Sequence, residues 1–187
     1  MRMTEMKMKV SERDLVFFDT EMTGVALGQE ILEIGFVKAK AGTFEVLAEG
    51  DIKILPKHIE LAEPAALAIN GYDEAEWAKE GVELKVGLEM FLSHTSEAIL
   101  VGHNLPFDWM HFHKGLLDCG LEPNFFYKGF DTFPIAWSKL RDDPKFIKFS
   151  LEELGTHFDI DRGRAHRAID DARTTYQVFL ALMKHEA

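Results

Sequence analysis

Two hydrophobic rhythms divide the chain, short apolar runs early and helical spacing later. Leu15 to Asp19 is an apolar run with two aromatics and a β-branched residue, the mark of a buried strand. Ile31 to Ala39 reads as a second strand. Phe44 to Ile54 reads as a third, with a bulge expected at Gly50. Ala41-Gly42-Thr43 supplies the turn that makes the second and third a hairpin. Helical signals follow: Pro64 to Ile69, with Gly71 just past its end, then a turn capped by Asp73 with Glu76 three residues on. Val82 to Leu92 is amphipathic, with Leu84, Leu88 and Phe91 or Leu92 on one face. Ala98 to Val101 is a short buried strand, and a helix is expected from about Pro106 to Leu117. Asp131 caps a helix beginning at Thr132. Ser150 and Glu153 form a capping box for Leu151 to Phe158, and a last helix runs from Ala168 to Lys184. A hairpin group followed by alternating strands and helices predicts an α/β fold, a mixed sheet covered by helices. No linker splits the chain, so a single domain over residues 1–187 is expected, with 1–12 as a flexible N-terminal extension.

Composition narrows the class. Fifteen Phe within a 47% hydrophobic chain of 187 residues supply one sizeable core. The single cysteine, Cys119, cannot form an intrachain disulfide and reads as inert packing beside a Gly120 turn. Met1 to Val10 alternates Met with charged residues and lacks the apolar stretch of a signal peptide. No apolar run is long enough to span a bilayer, so a soluble, cytoplasmic protein is expected. The formal net charge of −11 opposes broad electrostatic binding to DNA or RNA. Two features bear on that. Acids gathered at a metal site are offset by bound cations. Basic residues also collect late, at Lys139, Arg141, Lys145, Lys148, Arg162, Arg164, Arg167 and Arg173, as either a solvated face or part of a substrate path.

Three segments carry candidate chemistry. In Asp19-Thr20-Glu21 the two acids share one face at a strand end. Neighbouring carboxylates repel and lose hydration on burial, and a divalent cation would remove both costs. Such a pair is also common as a solvated strand exit. In Val101-Gly-His-Asn-Leu-Pro-Phe-Asp108, a strand ends, a glycine turn follows and Asp108 falls in the first turn of a helix, where capping alone would favour an acid. In His166-Arg-Ala-Ile-Asp-Asp171, helical spacing turns Asp171 inward with Val178 and turns Asp170 toward water with Arg173. Four carboxylates and a histidine suit phosphodiester hydrolysis. Two Mg²⁺ ions roughly 4 Å apart polarise the phosphate and stabilise the leaving oxygen, and a neutral imidazole accepts the proton of the attacking water.

In these motifs the sequence resembles the DEDDh, or DnaQ-like, 3′→5′ exonucleases, a family that includes the proofreading subunit of DNA polymerase III, ribonuclease T and oligoribonuclease. Phe18-Asp-Thr-Glu-Met-Thr-Gly24, His103-Asn-Leu-Pro-Phe-Asp108, and Ser150-Leu-Glu-Glu-Leu154 followed by His166-Arg-Ala-Ile-Asp-Asp-Ala172 match its three motifs in order and spacing. The resemblance runs from about Leu15 to Phe179. It implies a ribonuclease H-like fold, a mixed five-stranded sheet flanked by helices. It implies metal ligands at Asp19, Glu21, Asp108 and Asp171, two Mg²⁺ (or Mn²⁺), and His166 as general base. Met22, Thr23, Gly24 and Val25 match the segment that meets the terminal nucleotide. Ile69 and Asn70 lie in a second such stretch, where the residue at Asn70 is often histidine. Phe107 matches an aromatic beside the terminal base, and reads equally as a core residue. The implied partner is nucleic acid with a free 3′ end, single-stranded. A polymerase partner or a homodimer is compatible with the family.

The remaining histidines, His58, His94, His111, His113, His157 and His185, show no metal spacing and read as surface or satisfied polar groups. His103 reads as either structural or functional. Asp131 reads as a cap, and Trp77, Trp109 and Trp137 as packing. Two rival functions remain: a non-catalytic nucleic-acid-binding relative, and a two-metal phosphoesterase acting on small nucleotides. Phosphoryl transfer from ATP is disfavoured, since no Gly-x-x-x-x-Gly-Lys-Ser/Thr loop is present. A glycosidase would use paired acids without the histidine.

Overall fold

A computed structural model describes residues 8–185. Five strands form one mixed sheet: β1 (Leu15–Met22), β2 (Ile31–Ala39), β3 (Val46–Lys53), β4 (Ile99–Gly102) and β5 (Phe130–Asp131), in the order β3-β2-β1-β4-β5. β1 and β3 are antiparallel to β2, whereas β4 is parallel to both β1 and β5. Among the described residues seven α-helices flank it: α1 (Pro64–Asn70), α2 (Glu74–Glu80), α3 (Leu84–Thr95), α4 (Leu105–Cys119), α5 (Thr132–Leu140), α6 (Leu151–His157) and α7 (Ala168–Lys184). The expected mixed five-stranded sheet is therefore present.

Strand alternation divides the core into layers. Val16, Phe18 and Met22 of β1 face α3 and α4, where Leu88, Phe91 and Phe112 are buried. Leu15 and Phe17 face the other way, onto Phe179 of α7. One glycine sets how closely α7 approaches. A Cβ on Gly35 of β2 would lie 2.0 Å from the carbonyl carbon of Ala168, so the first turn of α7 rests directly on sheet backbone. Gly35 is the register partner of Asp19.

Several expectations are corrected. No bulge occurs at Gly50; the register shifts between Lys38 and Ala39 instead. Gly50 lies under the Phe36 ring, which a Cβ would meet at 2.5 Å. Val82 does not open a helix but bridges to Ile54, and α3 begins at Leu84. The two-residue β5 is too short to carry a pattern of its own. Of the extension expected at 1–12, residues 1–7 lie outside the described residues, while Val10–Glu12 form a single 3₁₀ turn leading into β1. Among the described residues no helix is long and apolar enough to cross a membrane.

Candidate active site

The last register pair between β1 and β4 is Phe17–Val101, so β1 runs on past the end of its parallel neighbour. Crevices at the carboxyl ends of parallel strands are where α/β sheets bind ligands. Here β1 carries Asp19-Thr20-Glu21. Beyond β4 the Thr20 N–H has no strand partner on that side, and Asp108 of α4 takes it. One Asp108 oxygen, Oδ1, accepts both the Thr20 N–H (2.9 Å) and the Thr20 hydroxyl (2.6 Å). Its other oxygen makes no hydrogen bond among the described residues. On the opposite face of β1, the close seat of α7 at Gly35 brings Asp171 over Glu21. Ligand atoms of Glu21, His166 and Asp171 all lie within 4.8 Å of one another.

The carboxylates strain against one another. Burial lifts Asp19 well above the ordinary carboxylate range, and the charges of Asp108, Asp171 and Glu21 raise it further. Burial pushes Glu21 up to about 8, reinforced by Asp171, Glu33 and Asp108 and opposed by Arg167. Asp108 rises to about 6 through burial, against the Thr20 hydrogen bonds that hold it down. Asp171 is also raised by burial, opposed by the His166 N–H, which donates to Oδ2 (2.9 Å), and by Arg162 at 3.3 Å from Oδ1. Among the described residues neither Asp19 nor Glu21 receives a side-chain or backbone hydrogen bond to its carboxylate. Crowded, half-buried acids without donors are what a divalent cation with oxygen preference would relieve, so the donor set fits Mg²⁺ or Mn²⁺.

His166 is exposed and takes a left-handed backbone, φ 61°. Its own N–H on Asp171 holds that conformation, which side chains other than glycine seldom adopt. Beside the acids, Met22, Gly24, Val25, Ile69 and Phe107 line a cleft of 280 Å³ together with Glu63 and Ala66. Val25 and Ile69 are exposed.

A family model described as exonuclease (RNase_T) matches residues 16–179. The chain belongs to this family. Its DnaQ-like 3′→5′ exonuclease membership agrees with the three motifs. The chain is 30% identical over 170 residues to a PolC-type DNA polymerase III of Clostridium perfringens, spanning 88% of this chain and 11% of that one. It is 28% identical to the DNA polymerase III subunit epsilon of Treponema pallidum, over 91% of this chain and 76% of that one. A solved structure of exonuclease I superposes with a TM-score of 0.79 at 19% identity, covering 92% of this chain and 41% of that chain. A zinc-bound form of the E. coli enzyme with single-stranded DNA gives 0.78 at 19% identity, covering 92% and 40%. The fold these share is the ribonuclease H-like one expected from the motifs.

In this exonuclease domain the predicted terminal-nucleotide residues separate into walls and braces. Gly24, Val25, Ile69 and Phe107 are walls. Thr23, 1% exposed, is a brace: its hydroxyl accepts the Glu30 N–H and donates to Gln29, and its carbonyl accepts the Glu63 N–H. It does not line the cleft. Asn70 lies at the cleft's base, but its amide donates to the Met22 carbonyl (3.0 Å) and accepts the Tyr72 N–H, so it fixes the Met22 backbone.

Sequence reasoning missed Glu33 and Gly35. Glu33, fully buried, accepts two N–H groups of Arg167 and the N–H of Ala168, fastening the start of α7 to β2. A charged residue and a glycine inside the apolar run Ile31–Ala39 were the available signals. Asp170 is not an idle surface acid either. It accepts the Arg164 N–H and pairs with Arg173, bracing the loop that carries His166. His103 is tied to Thr132 (2.9 Å) and Asp131 caps α5, both as structural polar groups. Trp77 is buried, with its indole N–H on the Leu32 carbonyl. Three expectations fail: His111 is 2% exposed with neither ring nitrogen bonded, the Nε2 of half-buried His113 finds no partner among the described residues, and Trp137 is 51% exposed rather than packed.

Proposed function

We propose that this chain removes nucleotides one at a time from the free 3′ end of a single strand, releasing nucleoside 5′-monophosphates. The observation that carries the reading is the pair Asp19 and Glu21, half-buried and without donors, facing Asp108, Asp171 and His166 beside an apolar cleft. Asp19, Glu21, Asp108 and Asp171 would hold two Mg²⁺ or Mn²⁺ ions. When bound, the ions supply positive charge to the phosphate and to the departing oxygen. His166 takes the proton of the attacking water, a role that its position on a loop allows. Val25, Ile69 and Phe107 close on the terminal base, and the brace of Thr23 and Asn70 keeps the Met22–Val25 backbone in place against the sugar and base.

Single-stranded DNA is the favoured substrate, because the polymerase III relatives and the DNA-bound exonuclease I structure concern DNA. A DNA polymerase is the favoured partner, and the cytoplasm the favoured location, on the same relatives. Digestion of matched DNA and RNA oligonucleotides labelled at the 5′ end tests the reading. A descending ladder, faster on DNA, is expected. Immediate release of a labelled mononucleotide would reverse the polarity, and cleavage of free nucleotide esters alone would favour a small-molecule phosphoesterase.

A further inference from the structure

One face of α5 is buried and the other is dressed with aromatics. Thr132, Ala136 and Leu140 point into the core. Phe133 and Trp137 point outward, 41% and 51% exposed. They are four residues apart, so they share a face about 6 Å apart along the axis. The Arg141 guanidinium sits 5.5 Å above the Trp137 ring, continuing the stripe by another turn.

This face is continuous with the active site. Asp131 Oδ1 accepts the N–H of both Asn104 (3.0 Å) and Phe133 (2.9 Å), joining the start of α5 to the start of α4, one turn before Asp108. Between them lies a cleft of 310 Å³ lined by His103, Phe133, Lys148 and Phe149. The loop at its edge is held firmly. Glu153 accepts the N–H groups of Lys148 (3.0 Å) and Phe149 (2.7 Å), and Phe149 is kept at φ 54°, stacked on Phe146. Strained, well-anchored residues of this kind gather at functional sites.

Charge points the same way. Of the late basic residues, Arg162, Arg167 and Arg173 are committed to acids, Arg141 reaches only the exposed Asp142 at 4.0 Å, and Lys139 donates to the His185 carbonyl. Lys145 and Lys148 form no ion pair among the described residues. In a chain of net charge −11, cations left over beside exposed aromatics mark where a polyanion approaches.

We propose that this face of α5 carries the single strand upstream of its 3′ end, with bases stacking on Phe133 and Trp137 and phosphates meeting Lys148 and Arg141. Stacking is tolerant of base identity but requires unpaired bases, so the track selects for single strands. The proposal rests on the exonuclease reading, but its test reads binding rather than hydrolysis. Fluorescence anisotropy with a labelled dT12 in Ca²⁺ measures it directly. Phe133→Ala and Trp137→Ala should each weaken dT12 binding by about five-fold or more, with far less effect on a dinucleotide competitor. Trp137→Phe should restore most of the loss. Lys148→Ala should lower the salt slope by about one. Leu117→Ala, an exposed apolar residue on α4, is the control. Equal losses for dT12 and the dinucleotide would make the aromatics structural and overturn the track. Unchanged dT12 binding in Phe133→Ala and Trp137→Ala would also overturn it, leaving this face to a protein partner. If wild type binds dT12 through these residues yet degrades no oligonucleotide, the track stands and the exonuclease reading fails.

Discussion

Two groups of acids lie on either side of the start of α7, and they have opposite characters. Behind it, Glu33, Asp51, Glu76 and Glu80 are threaded by Arg167 and Lys53. In front, among the described residues, Asp171 alone of Asp19, Glu21, Asp108 and Asp171 forms an ion pair, with Arg162. The two groups are adjacent, since Glu21 and Glu33 are register partners on neighbouring strands. Glu33 is fully buried yet rises only to about 7, with three N–H donors opposing burial and the Asp51 charge. Glu21, only partly buried and without donors, rises to about 8. A buried acid with donors fastens the fold, whereas crowded acids without them are the ones a cation would relieve.

Substitutions should separate the two groups sharply. The largest effect on activity is expected from Asp19→Ala, which should lower hydrolysis by more than about a hundred-fold, beyond the usual cost of losing a supporting group. It should leave the metal-free fold intact, because it removes repulsion. Glu33→Ala should do the reverse in kind. It takes from Arg167 the nearest of its three acids and leaves the Ala168 N–H without its acceptor, costing up to about 3–5 kcal/mol of stability in denaturant titrations. His166→Ala should fold normally and bind metal, yet lose about a hundred-fold in turnover at saturating Mg²⁺.

A smaller effect concerns pH. Glu21 binds its proton up to about 8 in the folded chain, against an ordinary value of 4.5. The folded state therefore holds a proton that the unfolded chain has already released. Its contribution to stability is complete below 4.5 and is lost as pH rises toward about 8. The melting temperature of the metal-free protein should fall across that window. Mg²⁺ or Mn²⁺ should raise it more at the alkaline end than at the acid end. A cation effect independent of pH would mean that the acids in front of α7 are not where it binds.

The acids and the histidine were legible in the sequence because each motif is local. Asp19 and Glu21 follow from strand alternation, and Asp171 against Asp170 from helical phase. Capping residues were legible for the same reason: Asp73, Asp131 and Ser150 all cap as their spacing predicts. What supports the site was not legible. The Glu33–Arg167 pair joins residues 134 apart, and no local period encodes it. Gly35 shows only as a glycine within a strand, and what packs on it is a tertiary fact. Trp137 fits a core helix by residue type, but α5 already turns Ala136 and Leu140 inward, and that phase leaves the indole outside. The late basic residues looked like one patch, yet four of the arginines pair with acids in the fold.

Calorimetric titration of the metal-free protein with Mn²⁺ near pH 8 tests the distinction between the two acid groups most directly, comparing wild type with Asp19→Ala and Asp51→Ala. Wild type and Asp51→Ala should bind Mn²⁺ alike, and Asp19→Ala should lose most of the binding heat. If Asp19→Ala binds like wild type, or Asp51→Ala is the variant that fails, the acids without donors are not the metal centre.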